Sequence, residues 1–254
     1  LIHYKKFGAG KPVIILHGLF GSLDNWLTIG KKIAEQEFCV FLADQRNHGH
    51  SFHSSDFSYE LMSSDLLRLC NFEQLNDIIL IGHSMGGKTA MYFSLHHPEL
   101  ISKLIVADIS PRYYPVHHTV IIEAIKSLDV YNLKSRLDAE HFLRSKIDNI
   151  STVQFLLKNL YRHHNHFAWR FNIESIEKNI ENVCEEIMSD YPFVGKSLFL
   201  RGEFSDYINR DDEFEIRQLF LKAEIKTIYG AGHWLHADKP LEFLDAIFNF
   251  LSGQ

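Results

Sequence analysis

The sequence feature that most restricts the fold is a serine flanked by glycines between an apolar run and a helical pattern. Ile78-Ile79-Leu80-Ile81 leads into Gly82-His83-Ser84-Met85-Gly86-Gly87, and the helical pattern begins near Lys88. The G-x-S-x-G order is typical of a strained strand-to-helix turn that exposes a serine hydroxyl above a sheet. Glycines suit the flanks because a Cβ there would collide with neighbouring backbone. The string predicts that Ser84 is a nucleophile.

Short apolar runs alternate with helical patterns along most of the chain. Strands are predicted at residues 13–16, 38–43, 78–81, 104–107, 197–200 and 224–228, and helices at 24–35, 59–69, 85–95, 211–221 and 240–251. Nearly continuous apolar runs are expected of strands covered on both faces. The alternation predicts an α/β fold with a mostly parallel central sheet and helices on both faces. Asp24 is a candidate cap for the first helix, and Pro240 suits the first turn of the last.

Residues 110–195 interrupt this alternation. The stretch has helical periods and many aromatic residues, but no clear signal for a parallel strand. A long insertion of this kind is typical of an active-site lid. We therefore expect a helical cap at 110–195, inserted in a core formed by residues 1–109 and 196–254. The histidines at 163, 164 and 166 are interpreted as a solvated face of this cap.

Composition excludes several classes of protein. The 254 residues carry a net charge of −6 with acids and bases mixed, which argues against nucleic acid or an anionic membrane as a partner. The three cysteines, Cys39, Cys70 and Cys184, form no CxxC motif and favour a reducing compartment. No apolar run approaches the ~20 residues that span a bilayer. We expect a cytoplasmic monomer or homodimer without stable membrane association.

A serine nucleophile requires a base, and His233 is the candidate. It lies in Gly230-Ala231-Gly232-His233-Trp234, after the last predicted strand and before the final helix. A histidine near the C-terminus, after the serine in chain order, fits this kind of site. His236 could pair with His233 on a metal, but no further ligand is clearly placed to complete a zinc site. We predict no metal.

The acid that orients the base has two candidates. Asp108 directly follows the strand predicted at 104–107, where its carboxylate would lie at the catalytic edge of the sheet. Asp206 lies in the loop after the strand predicted at 197–200. Either fits the chain order of serine, acid and histidine, and the residues alone do not separate them.

The tetrahedral intermediate of acyl transfer also needs hydrogen-bond donors where its negative charge develops. The N–H of Met85, directly after the serine, is one predicted donor. The second is expected from the loop His17-Gly18-Leu19-Phe20-Gly21, through the N–H of Leu19 or Phe20. The glycines of that loop let its backbone approach the site.

Together these strings resemble the α/β-hydrolase superfamily, and more narrowly its small YbfF-type bacterial esterases. The similarity covers essentially the whole chain in the family's order. The matching strings are His17-Gly18-Leu19-Phe20-Gly21-Ser22, Asp44-Gln45-Arg46-Asn47-His48-Gly49-His50-Ser51, residues 82–88, Asp108-Ile109-Ser110-Pro111, Trp169-Arg170-Phe171-Asn172 and Gly232-His233-Trp234-Leu235-His236-Ala237-Asp238-Lys239-Pro240.

The resemblance implies a serine hydrolase that cleaves acyl esters or acyl thioesters and needs no cofactor. In that family the acid lies in the Asp-Ile-Ser/Ala-Pro string, which favours Asp108 over Asp206. Asp44 and Arg46 are interpreted as structural residues that brace loops near the site. The predicted substrate-binding residues are Phe20, His83, Trp169 and Trp234.

The same fold and triad also serve lyases, C–C hydrolases and transacylases, because a fold does not fix a function. Such enzymes need polar groups aimed at a charged substrate, so a cavity lined by Arg170 or Arg112 would favour them. A non-catalytic binding protein on a hydrolase scaffold is a further alternative. The intact glycines and the loop that begins at His17 disfavour it.

Overall fold

The computed structural model describes residues 1–253, and its centre is a seven-stranded sheet. The strands in chain order are β1 (Tyr4–Phe7), β2 (Lys11–Leu16), β3 (Phe38–Ala43), β4 (Ile78–His83), β5 (Ile101–Ala107), β6 (Leu160–His163), β7 (His166–Trp169), β8 (Phe193–Gly202) and β9 (Phe220–Ile228). The main sheet has the order β1-β3-β2-β4-β5-β8-β9, and only β1 runs antiparallel to its neighbour. The prediction of a mostly parallel sheet is confirmed.

Helices follow the parallel strands and continue between β5 and β8. They are α1 (Leu27–Ala34), α2 (Tyr59–Glu73), α3 (Met85–His96), α4 (Thr119–Ser127), α5 (Arg136–Arg144), α6 (Ile150–Leu157), α7 (Ile173–Lys178), α8 (Ile180–Cys184), α9 (Asp212–Leu219), α10 (Leu235–Asp238) and α11 (Pro240–Ser252). Pro240 occupies the first turn of α11, where a missing N–H costs nothing, as the sequence predicts.

Two apolar layers cover the sheet because successive strand residues point to opposite faces. Val13 and Ile15 of β2 belong to the layer that contains α1 and α11, whereas Ile14 and Leu16 face the layer of α2 and α3. The parallel strands end in register, with Leu16 paired to Ala43 and Gly82 and with Ala107 paired to Leu200. Loops that leave these carboxyl ends therefore meet at one edge of the sheet.

The segment between β5 and β8, which we call the cap segment, differs in part from the expected helical insertion. It contains α4 to α8, but also the antiparallel hairpin β6–β7, in which His163 pairs with His166. The sequence gives no clear strand signal for this hairpin, because polar residues such as Arg162 and His163 interrupt its apolar pattern. The strand β8 begins at Phe193, three residues before the expected boundary. Leu143 and Leu156 of this segment belong to the buried apolar cluster that also contains residues of α2 and α3. We propose that the segment caps the edge of the sheet where the loops after the parallel strands meet.

Three other elements depart from the prediction. The edge strand β1 reads Tyr-Lys-Lys-Phe and gives no apolar signal, so only its pairing with β3 defines it. Asp24 does not cap α1, because a 3₁₀ turn at Leu23–Trp26 precedes the helix, and Asp24 instead pairs with Lys5 at 2.8 Å. The helix expected at 211–221 ends at Leu219, where pairing with β8 starts β9.

Within residues 1–253, none of the helices combines the length and the hydropathy that crossing a bilayer requires.

The start of α3 lies unusually close to the end of β2. A Cβ on Gly86 would lie 2.5 Å from the carbonyl oxygens of Leu16 and His17, a separation at which backbone must shift. This contact fixes the height of α3 above the sheet and requires glycine at position 86.

We predict that Gly86→Ala lowers the free energy of unfolding by about 2 kcal/mol or more, because overpacking against backbone cannot be relieved by a rotamer change. Gly232→Ala is the control. Its Cβ would meet only Asp238 Oδ2, at 3.4 Å, so we expect a change within about 0.5 kcal/mol. Urea unfolding of both variants measures the difference, and equal midpoints would contradict the close approach.

Candidate active site

Ser84 sits on the turn between β4 and α3 with φ 52° and ψ −122°, a backbone conformation that L-residues rarely adopt. Its N–H donates to the carbonyl of Ala107 at 3.0 Å, which ties the turn to the neighbouring strand β5. A Cβ on Gly82 would lie 2.1 Å from the Gly86 carbonyl oxygen. The two glycines therefore permit the turn, for the steric reason that the sequence suggests.

His233 lies in the loop after β9 and is hydrogen-bonded to Asp108. Its Nδ1–H donates to Asp108 Oδ2 at 2.8 Å, which leaves Nε2 as the nitrogen free to accept a proton. The Asp108 side chain is fully buried, and its other oxygen accepts the Gly202 N–H at 2.9 Å. The hydroxyl of Ser205 donates to the same Oδ2 as His233. This buried carboxylate is thus satisfied on both oxygens.

Asp206, the other candidate acid, is exposed, and within residues 1–253 its carboxylate makes no hydrogen bond. The loop that carries it reaches the site through its neighbours instead. Ser205 contacts Asp108, and the Tyr207 ring stacks on the His233 imidazole with centroids 4.0 Å apart. The two residues that flank Asp206 therefore help to orient the histidine. Ser205 does so through its hydrogen bond to Asp108, and Tyr207 through direct stacking on the imidazole.

Ser84 and His233 line one cavity of about 460 Å³, which we call the catalytic cavity. Gly18, Leu19, Phe20, His83 and Trp234 contribute to its wall, together with residues of the cap segment such as Ile121, Phe155 and Leu156. Within the described chain, Ser84 Oγ makes no hydrogen bond. Hydrogen bonds between reacting side chains are often long in enzymes without substrate and tighten when substrate binds.

The loop after β2, residues 17–21, is called here the oxyanion loop. The N–H of Phe20 donates to Nε2 of His48 at 3.1 Å, so this group is occupied. Within residues 1–253 the N–H of Leu19 has no such partner, and the N–H of Met85 is one of the unpaired donors at the start of α3. Of the two candidates in the loop, Leu19 thus has the available donor.

Two buried neutral histidines hold the oxyanion loop. His48 donates from Nδ1 to the Arg46 carbonyl at 2.9 Å, which leaves its Nε2 to accept from Phe20. Burial lowers the pKa of His48 to about 3, so the ring stays uncharged. His17 likewise donates from Nδ1 to the Gly18 carbonyl, and burial lowers its pKa as well.

Asp44 and Arg46 hold the loops near the site, which is the structural role interpreted for them from the sequence. Asp44 is buried and accepts hydrogen bonds from the Leu23 N–H and the His50 N–H. Arg46 forms a buried ion pair with Asp65, with Nε and Oδ2 2.6 Å apart.

The cap segment also holds the oxyanion loop, through Asn159. This residue is fully buried, and its Nδ2 donates to the Phe20 carbonyl at 2.7 Å. The N–H of Arg170 in turn donates to the Asn159 carbonyl. Phe20 has φ 58°, and its peptide groups are therefore fixed from the core by His48 and from the cap segment by Asn159.

The predicted substrate-binding residues occupy different positions. Phe20 and Trp234 line the catalytic cavity. His83 also reaches the cavity wall, but it is buried and its Nε2–H donates to the His233 carbonyl at 2.8 Å. Trp169 does not line the cavity, contrary to the prediction. It stacks on Phe171, which packs against Phe20 with centroids 5.3 Å apart.

The possible metal pair of His233 and His236 is not assembled. His236 stacks on Trp26 with ring centroids 4.1 Å apart, and burial lowers its pKa to about 3. Over residues 1–253 no three His, Cys, Asp or Glu side chains are grouped as a metal site would require.

Sequence reasoning gave no role to four residues near the site. Ser205 and Tyr207 are in a loop of ordinary composition, His48 is one of 16 histidines, and Asn159 follows a helix of the cap segment. The only available signal for His48 is its place in the string that begins at Asp44. Long-range contacts, which the sequence does not display, bring the other three to the site.

Comparison with known proteins agrees with the fold. A family model described as alpha/beta hydrolase fold matches residues 11–120. The sn-1-specific diacylglycerol lipase ABHD11 of Danio rerio is 41% identical over 251 residues, which are 96% of this chain and 79% of that protein. Esterase YbfF of Escherichia coli (strain K12) is 32% identical over 245 residues, covering 95% of this chain and 93% of its own. The solved structure of a marine microorganism esterase superposes with a TM-score of 0.95 at 45% identity and covers 98% of each chain.

The fold, the elbow turn and these relatives together define the class: the chain belongs to the α/β-hydrolase family. Within that family, the resemblance to YbfF-type esterases inferred from the sequence is confirmed.

We predict that Asn159→Ala lowers kcat about ten-fold with little change in KM, because a loosened oxyanion loop weakens contacts that matter most in the transition state. Asn179→Ala is the matched control. Asn179 Nδ2 donates to the Ser55 carbonyl at 2.9 Å, so the change removes another bond between cap segment and core without touching the loop. Steady-state kinetics and thermal unfolding of both variants are the measurements. Equal kcat values in the two variants would contradict the assignment to Asn159.

Proposed function

We propose that this chain hydrolyses carboxylic esters through an acyl-enzyme intermediate on Ser84, with His233 as base and Asp108 as acid. The observation that carries the proposal is the 2.8 Å hydrogen bond between His233 Nδ1 and the buried Asp108 carboxylate, at the sheet edge where the strained Ser84 turn lines the same cavity. At the level of class, the esterase and lipase relatives make the chain a serine hydrolase acting on esters, and this prediction is confirmed.

In the first step, Ser84 Oγ attacks the acyl carbonyl carbon and its proton passes to Nε2 of His233. Asp108 keeps the imidazole in the tautomer with a proton on Nδ1 and stabilises the imidazolium that forms. The carbonyl oxygen becomes an oxyanion that accepts hydrogen bonds from the N–H groups of Leu19 and Met85. Each such donor is worth about 3–4 kcal/mol of transition-state stabilisation.

The tetrahedral intermediate collapses when the bond from the acyl carbon to the leaving oxygen breaks. His233 Nε2 returns its proton to that oxygen, and the alcohol departs. A water molecule then loses a proton to Nε2 and attacks the acyl carbon, and the bond to Ser84 Oγ breaks as the proton returns to the serine. The carboxylic acid leaves, and the protein is restored without a cofactor.

Thioesters are a second substrate class that we propose, since the same steps serve a thiol leaving group. Small-molecule esters or thioesters are therefore the expected partners. The expectations of a cytoplasmic location and of a monomeric or homodimeric state stay proposals.

The two arginines that would favour the alternative reactions on this fold lie outside the catalytic cavity. Neither Arg170 nor Arg112 lines the catalytic cavity. Arg170 contacts His50 and lies over the Tyr161 ring, while Arg112 pairs with Asp212 at 2.8 Å. A lyase, C–C hydrolase or transacylase acting on a charged substrate is therefore not favoured, and the esterase and lipase relatives disfavour a non-catalytic scaffold.

We predict that Ser84→Ala abolishes hydrolysis of p-nitrophenyl acetate and labelling by a fluorophosphonate probe, because no other hydroxyl is activated. The expected loss in kcat is about 10⁴-fold or more. Intact-mass spectrometry and an esterase assay give the two readouts, and unchanged unfolding shows that the variant is folded. Labelling that persists in this variant would refute the nucleophile.

The acid is tested by comparing Asp108→Asn with Asp206→Asn. We expect the first to lower kcat by about 10³–10⁴-fold, because an amide cannot stabilise the imidazolium and favours the wrong tautomer. The second should stay within about three-fold, since an exposed carboxylate without partners contributes little. Kinetics at one pH suffice, and a larger loss in Asp206→Asn would reverse the assignment.

A further inference from the structure

We propose that the site accepts esters with a short, uncharged acyl group and a bulky alcohol, because the spaces on the two sides of Ser84 differ strongly in size. This inference rests on the proposed function and deepens it by naming the substrate class. It concerns a small pocket beside Ser84, called here the acyl pocket, in contrast to the larger catalytic cavity.

The acyl pocket has a volume of about 30 Å³. Ser84 and both proposed oxyanion donors, Leu19 and Met85, form its mouth. Residues of the core and of the cap segment complete its lining, among them Tyr59, Lys88, Tyr114, His118, Val183 and Cys184. Since one water needs roughly 10–15 Å³ of such space, the pocket holds only about two non-hydrogen atoms.

Two polar groups at the acyl pocket, the Tyr59 hydroxyl and the Lys88 ammonium, are already bonded. The Tyr59 hydroxyl donates to the Val183 carbonyl at 2.6 Å. The Lys88 ammonium is buried and donates to the carbonyls of Arg112, Cys184 and Glu185. Because its three N–H groups are used, Lys88 has none left for a carboxylate on the acyl chain. His118 also lines the pocket, with its buried Nδ1 unpaired within residues 1–253, and burial lowers its pKa to about 3, so the ring is uncharged. The pocket therefore offers no cation to a carboxylate on the acyl chain.

The chemistry decides which part of the ester enters which space. The leaving oxygen must lie within hydrogen-bond reach of His233 Nε2, which protonates it. His233 lines the catalytic cavity and not the acyl pocket. The alcohol therefore leaves on the side of the catalytic cavity, and the acyl chain points to the other side of the Ser84–Leu19–Met85 cluster.

The catalytic cavity is large enough for a bulky alcohol. Its volume of about 460 Å³ lies within the range of ordinary small-molecule sites. Phe155 and Trp234 pack together there with ring centroids 5.5 Å apart, and Ile121 and Leu156 add aliphatic surface. An aromatic or branched alcohol group fits such a lining.

The test is a series of p-nitrophenyl esters in which only the acyl chain changes. We expect kcat/KM for the acetate to exceed that for the octanoate by about 100-fold, because extra methylenes have no space in the acyl pocket. In a second comparison, 1-naphthyl acetate should be hydrolysed faster than methyl octanoate. A preference for the octanoate, in either comparison, would overturn the inference.

Two changes at Val183 alter the acyl pocket in opposite directions. Val183→Ala widens it and should raise the butyrate-to-acetate ratio of kcat/KM about ten-fold, whereas Val183→Leu narrows it and should lower that ratio. Neither change affects the main-chain carbonyl that accepts from Tyr59. The matched control is Ile121→Ala, which lies on the catalytic cavity alone and should leave the acyl ratio unchanged.

Failure of this inference can be told apart from failure of the proposed function. Fluorophosphonate labelling of Ser84 together with an octanoate preference refutes only the short acyl group. A butyrate-to-acetate ratio that responds equally to Val183→Ala and Ile121→Ala refutes the location of the acyl pocket. Absence of both labelling and turnover refutes the ester hydrolase itself.

Discussion

The hydrogen bond between His233 and the buried Asp108 carboxylate is the interaction on which the site depends. It joins the loop after β9 to the end of β5, across the intervening strand β8. A buried carboxylate is costly unless its oxygens are satisfied. Gly202 and Ser205 complete that requirement, so the fold must bring β8 and its following loop into place for the Asp108 carboxylate to be stable beside His233.

In the oxyanion loop, as described within residues 1–253, the N–H of Leu19 has no partner, whereas both main-chain polar groups of Phe20 are bonded. Phe20 uses its N–H on His48 and its carbonyl on Asn159, one in the core and one in the cap segment. Only a neutral His48 can accept from Phe20, and burial ensures that charge state. The cap segment therefore does more than cover the cavity, because it helps to fix the peptide next to Leu19.

The two spaces at Ser84 follow from the same construction. The elbow places Ser84 between α3 and the oxyanion loop, and the return of the cap segment at Val183 and Cys184 closes the side away from His233. Lys88 holds that return by donating to its main-chain carbonyls. On the side of His233 the cap segment contributes apolar side chains such as Ile121 and Phe155 and polar ones such as Asn149 and Thr152, and the space there is about 460 Å³.

By itself the sequence determined the local structure and the class of protein. The glycines around Ser84, the apolar runs and the late histidine predict the turn, the parallel sheet and the order of the reacting groups, because these depend on short-range sterics and side-chain periodicity. The hydrogen bond of His233 to Asp108 and not to Asp206, the positions of Ser205, Tyr207 and Asn159, and the cap hairpin were decided by tertiary structure. Each depends on contacts between residues far apart in the chain, where the partner and not the local sequence sets the orientation. Trp169 is a clear case, since its string predicted a substrate-binding residue and in the fold its ring stacks on Phe171.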